Sequence, residues 1–401
     1  MGTDISNLKK QYRTVTESIG LPEKIKIQKY FLNPDPDKSS KQKYISKCKT
    51  YHSVNWNNVG VRYGTNPNQP SALYKPIYKN TIMGTLAFLK MGKGGPSLTN
   101  LEDVSHALNI LKYFPSEPAC AVMKHLNPSG FAVMKQNDTR SLLDIYREAR
   151  DCDERSAFGS IVAFNAPVDR ETADEIMKTF VEGVVSKGYY EGALDAFNNK
   201  EGKYKINKDI RVMQVSGICN LPKFDGDDID FYNIKTMVDG SIALETPYLT
   251  SIRGRNDLIL DAEIQDKEGN KYEVKAKPTE QQIEDMLTAW YININVRSNG
   301  IVFVKDGRTI AVGTGEQERV GAVEQAIDKA IKKGHKHDLE GSVMSSDAFF
   351  PQRDCIDTVA RYGVSAIIYP GGSINDVDTI KAANEHNIAL AITGERCFSH
   401  F

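Results

Sequence analysis

The chain has 401 residues, 51 Lys and Arg against 52 Asp and Glu, a formal net charge of −1, and 40% hydrophobic residues. That length exceeds one ordinary core and suits two packed domains, and the apolar fraction is enough for globular cores and argues against disorder. Balanced charge gives no global basic field for nucleic acid or an anionic membrane, so neither is expected as a partner.

Residues 1–60 are polar and lysine-rich, with NPDPDKSSKQK as a loop, and read as an N-terminal extension with room for one short helix. From Arg62 onward apolar runs alternate with amphipathic stretches. ACAVM at 119–123 and GSIVA at 159–163 predict buried strands, and between them Leu142, Ile145, Tyr146 and Ala149 recur at helical spacing. Strand, helix, strand predicts a βαβ unit and a parallel sheet. The acidic segment 226–275, with Asp-Gly and Gly-Asn turns, reads as a connection with hairpin content. A second block opens near Thr279, which can cap a helix with Gln282 three residues later. Apolar runs at 301–304 and 310–312 flank Lys305-Asp306-Gly307 as a hairpin. AIIY at 366–369 and IALAI at 388–392 predict further buried strands, with a helix over about 375–386 between them. The organisation expected is α/β: a first unit over 61–225, a connection over 226–275 and a second unit over 276–401.

Six cysteines, Cys48, Cys120, Cys152, Cys219, Cys355 and Cys397, form no C-x-x-C pair, and no apolar signal segment opens the chain. Free thiols in a reducing, cytoplasmic compartment are expected. No stretch approaches the ~20 apolar residues that span a bilayer, and the opening MGTDIS fits a myristoylation pattern only loosely.

Several short motifs carry chemistry, and each also has a plainer reading. Lys124-His125-Leu126-Asn127-Pro128-Ser129-Gly130 follows a buried strand, where ligands collect in α/β folds. A lysine beside a histidine sets a fixed charge next to a neutral base; a surface pair before an Asn-Pro turn fits the same residues. Arg62-Tyr63-Gly64 offers a cation and an aromatic ring to a phosphate or a flat ligand, or is an ordinary turn. Gly159 in Ser156-Ala157-Phe158-Gly159 lets backbone approach a ligand, or simply tightens a loop. Gly313-Thr314-Gly315 opens a helix carrying Arg319, a plausible anion site, although G-x-G-x-x-G is not completed. Phe349 and Phe350 cannot share one strand face, so one can meet a ligand while Phe350 serves the core. Arg396 follows the last strand.

Taken jointly and in this order, RYG-x-NP-x-Q, KH-x-NP-x-G, S-x-FG, SN-x-I, G-x-G-x-x-x-R, SSDAFFP-x-RD, P-x-GSI and R-x-F-x-H resemble the transformylase half of the family that couples AICAR transformylase to IMP cyclohydrolase, from about residue 62 to the end. The resemblance implies two cytidine-deaminase-like α/β/α units in tandem. It implies formyl transfer from 10-formyltetrahydrofolate, as co-substrate, to the amino group of AICAR in purine biosynthesis. It also implies a homodimer with active sites at the interface. By motif, His125 corresponds to the proton acceptor, Lys124 to a transition-state stabiliser, and Asn299 completes the catalytic set. Arg62, Tyr63, Gly159, Glu182, Arg319, Phe349 and Arg396 fall on ribonucleotide positions; Val320, Asp354, Ser373 and Ile374 fall on folate positions.

Departures accompany the likeness. Glu316-Gln317-Glu318 replaces a glutamine-rich, serine-containing stretch, and Ser129 stands where cysteine is common. About 60 residues precede Arg62, too few for a cyclohydrolase domain, so ring closure is expected of another protein. The zinc signature of true deaminases, H-x-E with P-C-x-x-C, is absent from the sequence, so no metal requirement is expected. Two other readings remain: a deaminase-like hydrolase, and a ribonucleotide-binding relative with decayed activity.

Overall fold

The computed structural model describes residues 61–401, apart from 70, 72, 77–79, 93, 136, 137 and 267, together with the strands Gln28–Phe31, Tyr44–Lys47 and Tyr51–Ser53. The first two of these strands pair with each other, and the third pairs with Tyr74–Pro76. The short helix expected within 1–60 lies outside the described residues.

Among the described residues an 11-stranded sheet organises the chain. Its strands in chain order are β1 (Ala87–Lys90), β2 (Ala119–Lys124), β3 (Asn127–Val133), β4 (Ile161–Phe164), β5 (Gly183–Ser186), β6 (Arg211–Gln214), β7 (Ile301–Lys305), β8 (Arg308–Gly313), β9 (Val343–Ser346), β10 (Ala366–Tyr369) and β11 (Ala389–Ile392). Across the sheet they lie in the order β11-β10-β9-β7-β8-β3-β2-β4-β5-β6-β1. Strands from before residue 215 and from after residue 300 meet at β3–β8, through Arg308 opposite Ala132.

Helices cover both faces. Helix α1 (Leu98–Leu111) is followed by α2 (Leu142–Asp151), α3 (Glu154–Ala157), α4 (Arg170–Ile176), α5 (Ala193–Asn198), α6 (Glu280–Asn293), α7 (Arg319–Lys332), α8 (Asp354–Ala360) and α9 (Asp376–Glu385). Side chains alternate across each strand. Ala119, Ala121, Met123, Ile161 and Ala163 therefore join Val302, Val304, Val343 and Ile368 in one core beneath α1 and α6. The opposite face is split. Cys120, Val122, Val162 and Phe164 pack on α2, α4 and α5, whereas Ile301, Phe303, Met344 and Ile367 pack on α7, α8 and α9.

Local signals explain the helix starts. Ser97, Ser141 and Thr279 accept from the third helical N–H of α1, α2 and α6, and the Asn100, Asp144 and Gln282 side chains accept in return from the N–H groups of those capping residues, which satisfies donors a bare helix end leaves orphaned. The Asp306-Gly307 hairpin forms as expected, with both residues at positive φ. Two hairpins occupy 226–275: Asn233–Thr236 with Ile242–Glu245, and Glu263–Gln265 with Lys271–Glu273.

The expected βαβ unit needs correction. Strands β2 and β4 pair antiparallel, because Asn127–Val133, read as a turn, is strand β3. Asn-Pro marks a turn locally, but Pro128 sits beside a register shift at Val122/Met123, a place where a strand tolerates its missing donor. The α2–α3 connection thus joins β3 to β4, which run in the same direction on either side of β2. Parallel pairing is confined to β4–β5–β6 and β9–β10–β11; the remaining pairs are antiparallel.

Gly130 of the KH-x-NP-x-G motif has a packing reason. A Cβ there would lie 1.9 Å from the Ala149 carbonyl oxygen of α2 and 2.8 Å from Cys152 Cβ. Backbone cannot yield as a side-chain tip does, so Gly130→Ala is expected to destabilise the protein by about 1–3 kcal/mol. A thermal melt followed by circular dichroism checks this; a melting temperature equal to the parent's would contradict so close an approach.

Candidate active site

Strand direction alone gathers most of the sequence-selected residues. Strands β8, β9, β10 and β11 run the same way, and β7 runs against them. Their common end therefore carries Asn299 before β7, Arg319 after β8, Phe349 and Asp354 after β9, Ser373 and Ile374 after β10, and Arg396 after β11. The antiparallel pairings β8–β3 and β3–β2 carry the same direction into β2, whose last residue is Lys124, followed by His125. Strands β4 and β5 run opposite to β2, so Gly159 and Glu182, just before them, reach the same end.

Lys124 and His125 stand at a two-residue turn, since Lys124 faces Asn127 across β2 and β3. His125 and Leu126 have φ of 52° and 68°. Turns of this kind need positive φ at both central positions and usually carry Asn-Gly; a bulky Leu there is an outlier. Asp103 of α1 accepts from the Leu126 N–H at 2.8 Å, and Asn127 Nδ2 donates to the His125 carbonyl at 3.1 Å. Burial pushes the Asp103 carboxyl up to about 6, against the opposing pull of the Leu126 N–H and the Lys124 ammonium. Lys124 Nζ donates to the Gly159 carbonyl at 2.7 Å, which leaves two of its three N–H donors for other acceptors. His125 is exposed, and beside it a cavity of about 240 Å³ is lined by Lys124, Asn127, Asp153, Ser156, Thr314 and Lys329 among others.

Arg62, Tyr63 and Glu182 share one loop as a support. The Arg62 N–H donates to the Pro96 carbonyl at 2.8 Å, and Leu98 N–H donates to Tyr63 at 2.9 Å. The Arg62 guanidinium lies 5.1 Å from the Tyr63 ring centroid. Glu182 Oε2 accepts from Arg211 Nη1 at 2.6 Å, and Arg211 Nε donates to the Gly95 carbonyl at 2.8 Å. Buried Arg211 thus ties Glu182 to the loop that carries Arg62.

Asn299 and Arg319 meet around a buried carboxylate. Arg319 is ion-paired to Asp347 through Nη1 and donates from Nη2 to Asn299 Oδ1 at 2.7 Å. Asp347 also accepts from Ser298 Oγ at 2.5 Å and from the Gly300 N–H at 2.9 Å. Asn299 Nδ2 donates to the Glu316 and Gln317 carbonyls at 2.8 and 3.0 Å. The altered Glu316-Gln317-Glu318 stretch therefore serves Asn299 through backbone, which the side-chain changes leave alone. Glu318 is the N-cap of α7, where an acid suits the helix dipole.

The chain's last residues are held in place. Cys397 N–H donates to the Asp347 carbonyl, Ser298 N–H donates to Ser399, and Phe401 meets the His106 ring edge-on at 4.6 Å. Burial pushes His106 down to about 4. Arg396 and Arg319 both approach the Phe398 ring, at 4.7 and 5.8 Å. Arg62 stands with Tyr63 against the Pro96 loop instead. Phe350 is buried against Tyr369, as its core role requires, and Phe349 is half-buried.

The residues selected for folate gather on the loops at the starts of α7, α8 and α9. Val320 packs on the core beneath α7. Asp354 caps the Cys355 N–H at 2.8 Å, and Ser373 Oγ accepts from Asn375 at 3.1 Å. Asn375 reaches back to the Pro351 carbonyl at 2.6 Å, tying these loops together and leaving Ile374 exposed beside them. Asn127 joins the two halves: its Oδ1 accepts from Arg297 N–H and from Thr314 Oγ1, both at 2.9 Å. Asp103, Asn127, Arg211, Lys329 and Asp347 were missed by sequence reasoning. Their partners lie tens or hundreds of residues away; Asn127 and Asp347 stand inside KH-x-NP-x-G and SSDAFFP-x-RD, whereas the other three carry no local signal. Among the described residues no group of three or more His, Cys, Asp or Glu is placed to hold a metal ion.

A sequence profile described as "AICARFT/IMPCHase bienzyme" matches residues 24–329, reaching back into the stretch read as an N-terminal extension. The chain is similar to "Bifunctional purine biosynthesis protein PurH" of Caldicellulosiruptor saccharolyticus, at 35% identity over 341 residues, and of Persephonella marina, at 36% over 342. The Magnetococcus marinus protein of the same name is 38% identical over 349 residues. Each match covers 85% of this chain and 59% of the relative, so the chain spans well under two thirds of their length. A solved diaminohydroxyphosphoribosylaminopyrimidine deaminase/5-amino-6-(5-phosphoribosylamino)uracil reductase from Thermotoga maritima is 25% identical over 27% of this chain and 36% of its own, with a TM-score of 0.23, too partial a likeness to argue from.

The Arg319–Asp347 pair makes a separate claim about stability. Removing one partner leaves a buried charge uncompensated, so Arg319→Ala is expected to lower the unfolding free energy by about 3–5 kcal/mol. Arg319→Lys keeps the charge but not the fork that also holds Asn299, and is expected to fall between. Denaturant unfolding ranks the three proteins; an unchanged midpoint for Arg319→Ala would contradict the pairing.

Proposed function

This chain belongs to the AICARFT/IMPCHase bienzyme family, and from that membership we propose that it transfers the formyl group of 10-formyltetrahydrofolate to the 5-amino group of AICAR in purine biosynthesis. The observation that supports this best is the Lys124–His125 pair on its turn, at the sheet end that also carries Asn299, Arg319 and Arg396.

The acceptor amine is weakly nucleophilic, because its lone pair is delocalised into the imidazole. When its nitrogen bonds to the formyl carbon, positive charge grows on nitrogen and negative charge on the formyl oxygen. His125 takes the amine proton, which suits an imidazole near neutral pH. Lys124, with two N–H groups beyond its bond to Gly159, donates to the oxyanion. Collapse breaks the bond to the folate nitrogen, which leaves with the proton that His125 took from the amine. Asn299, fixed by Arg319 and by two carbonyls, adds an oriented amide beside the reacting groups. Arg62, Tyr63, Gly159, Glu182, Arg319, Phe349 and Arg396 hold the ribonucleotide in this reading. Val320, Asp354, Ser373 and Ile374 line the folate, with exposed Ile374 offering an apolar surface to a flat ring.

The same reading takes residues 61–225 and 276–401 as two deaminase-like units in tandem, working in the cytoplasm. It also makes the protein a homodimer. The segment 226–248 projects Phe231, Ile234, Met237 and Val238 into solvent, and a run of exposed large apolar side chains of this kind fits a surface that a second copy covers.

Purified protein mixed with AICAR and 10-formyltetrahydrofolate is expected to consume the formyl donor. His125→Ala should lower turnover by about 10²–10⁴-fold while nucleotide binding, measured by calorimetry, weakens far less. Near-normal turnover in His125→Ala would remove His125 as the base. Sedimentation velocity is expected to give a dimer that Ile234→Asp with Val238→Asp weakens; a monomeric parent would refute the dimer.

A further inference from the structure

The Lys124–His125 turn is backbone that the sequence alone would not hold. Its central residues, His125 and Leu126, both sit at positive φ without a glycine between them. Left-handed backbone is unfavourable for an L-residue with a Cβ, and such conformations persist only where the surroundings over-determine them. In a two-residue turn of this kind the N–H of the second central residue has no partner within the hairpin. Here that N–H, on Leu126, donates to Asp103 Oδ1 at 2.8 Å. Asp103 belongs to neither strand: it is a buried residue on α1, 5% exposed, and comes from 23 residues earlier in the chain. Among the described residues Asp103 has no ion-pair partner within 4 Å, and its carboxyl accepts its side-chain hydrogen bond from Leu126.

We propose that Asp103 is a positioning residue, whose carboxylate clamps the Leu126 N–H and thereby holds the strained turn that sets Lys124 and His125 side by side. Helix α1 supplies the rigidity: it is capped at Ser97 and Asn100 and packs on β2 and β4 beneath the turn. Asn127 clamps the other side, bonding to the His125 carbonyl and to Arg297 and Thr314. Without Asp103 the turn can relax toward right-handed backbone, which swings His125 and Lys124 away from one another while leaving the rest of the site in place. The inference rests on the reading that His125 and Lys124 perform the transfer.

Asp103→Ala, Asp103→Asn, and Asp103→Ala combined with Leu126→Gly test it in the full chain. Loss of the clamp should lower kcat by about 10–100-fold, as displacement of a catalytic group by an ångström does, with KM for both substrates within about threefold of the parent. Asp103→Asn, which keeps an oxygen acceptor on the same stem, should retain most of the activity. Glycine at 126 removes the strain, so the double variant should recover part of the loss. Hydrogen exchange gives a readout that needs no activity: the Leu126 amide should lose protection in Asp103→Ala while β4–β6 and β9–β11 keep theirs. Parental kcat in Asp103→Ala, or an unchanged Leu126 amide, overturns the proposal; so does a global loss of protection, which would make Asp103 a plain core residue. If His125→Ala is itself fully active, the transferase reading fails instead, whatever the Leu126 amide does.

Discussion

A single buried carboxylate, Asp347, joins the parts of the molecule on which the candidate site depends. It pairs with Arg319 from the start of α7, accepts from Ser298 and Gly300 ahead of β7, and its own backbone carbonyl takes the N–H of Cys397 near the chain's end. Four stretches far apart in sequence therefore meet at one charge. Such a pair holds better when its remaining lone pairs and protons find partners, and here Asp347 also accepts from Ser298 and Gly300. Arg319 turns its second nitrogen to Asn299, so fixing the ion pair also fixes the amide. The arginine is thus an organiser of the site as well as a candidate for ligand contact.

The second constraint is directional. In a sheet where strands alternate in direction irregularly, residues gather at one end only if each lies on the correct side of its strand. Lys124 ends a strand and Arg396 follows one, whereas Gly159, Glu182 and Asn299 precede strands that run the opposite way. The β3–β8 junction makes these directions common to both halves, and Asn127, on β3 itself, bonds across to Arg297 and Thr314. The left-handed turn at His125 is the local expense of this arrangement, offset by hydrogen bonds from α1 and β3.

Much of this was legible locally. Capping residues Thr279 and Gln282, the Asp306-Gly307 turn and the apolar runs at 366–369 and 388–392 gave elements at their observed places, because each depends on neighbours in sequence. Motif order brought out residues that share one sheet end. Strand β3 was not legible, since Asn-Pro-Ser-Gly carries turn chemistry and forms a strand only because β2 and β8 pair with it. The direction of β4 relative to β2 followed from that omission. Asp103 was passed over for a related reason: a lone Asp on a helix gives no sign of what it will meet. Asp347 stood inside SSDAFFP-x-RD, but the motif does not say that Arg319, Ser298 and Gly300 meet its carboxylate.

By itself the sequence determined the α/β class and placed the KH-x-NP-x-G, SN-x-I, G-x-G-x-x-x-R and terminal R-x-F-x-H motifs at the edges of apolar runs, because periodicity, caps and motif spacing are properties of short windows. Tertiary structure decided which side of each strand faces the site, which carboxylates are buried, and how the last residues are held. It also decided that Leu126 adopts a backbone few leucines adopt. Those outcomes depend on contacts from about twenty to several hundred residues apart, where the free energy of one hydrogen bond or ion pair is set by burial and by partners that no short window of sequence contains.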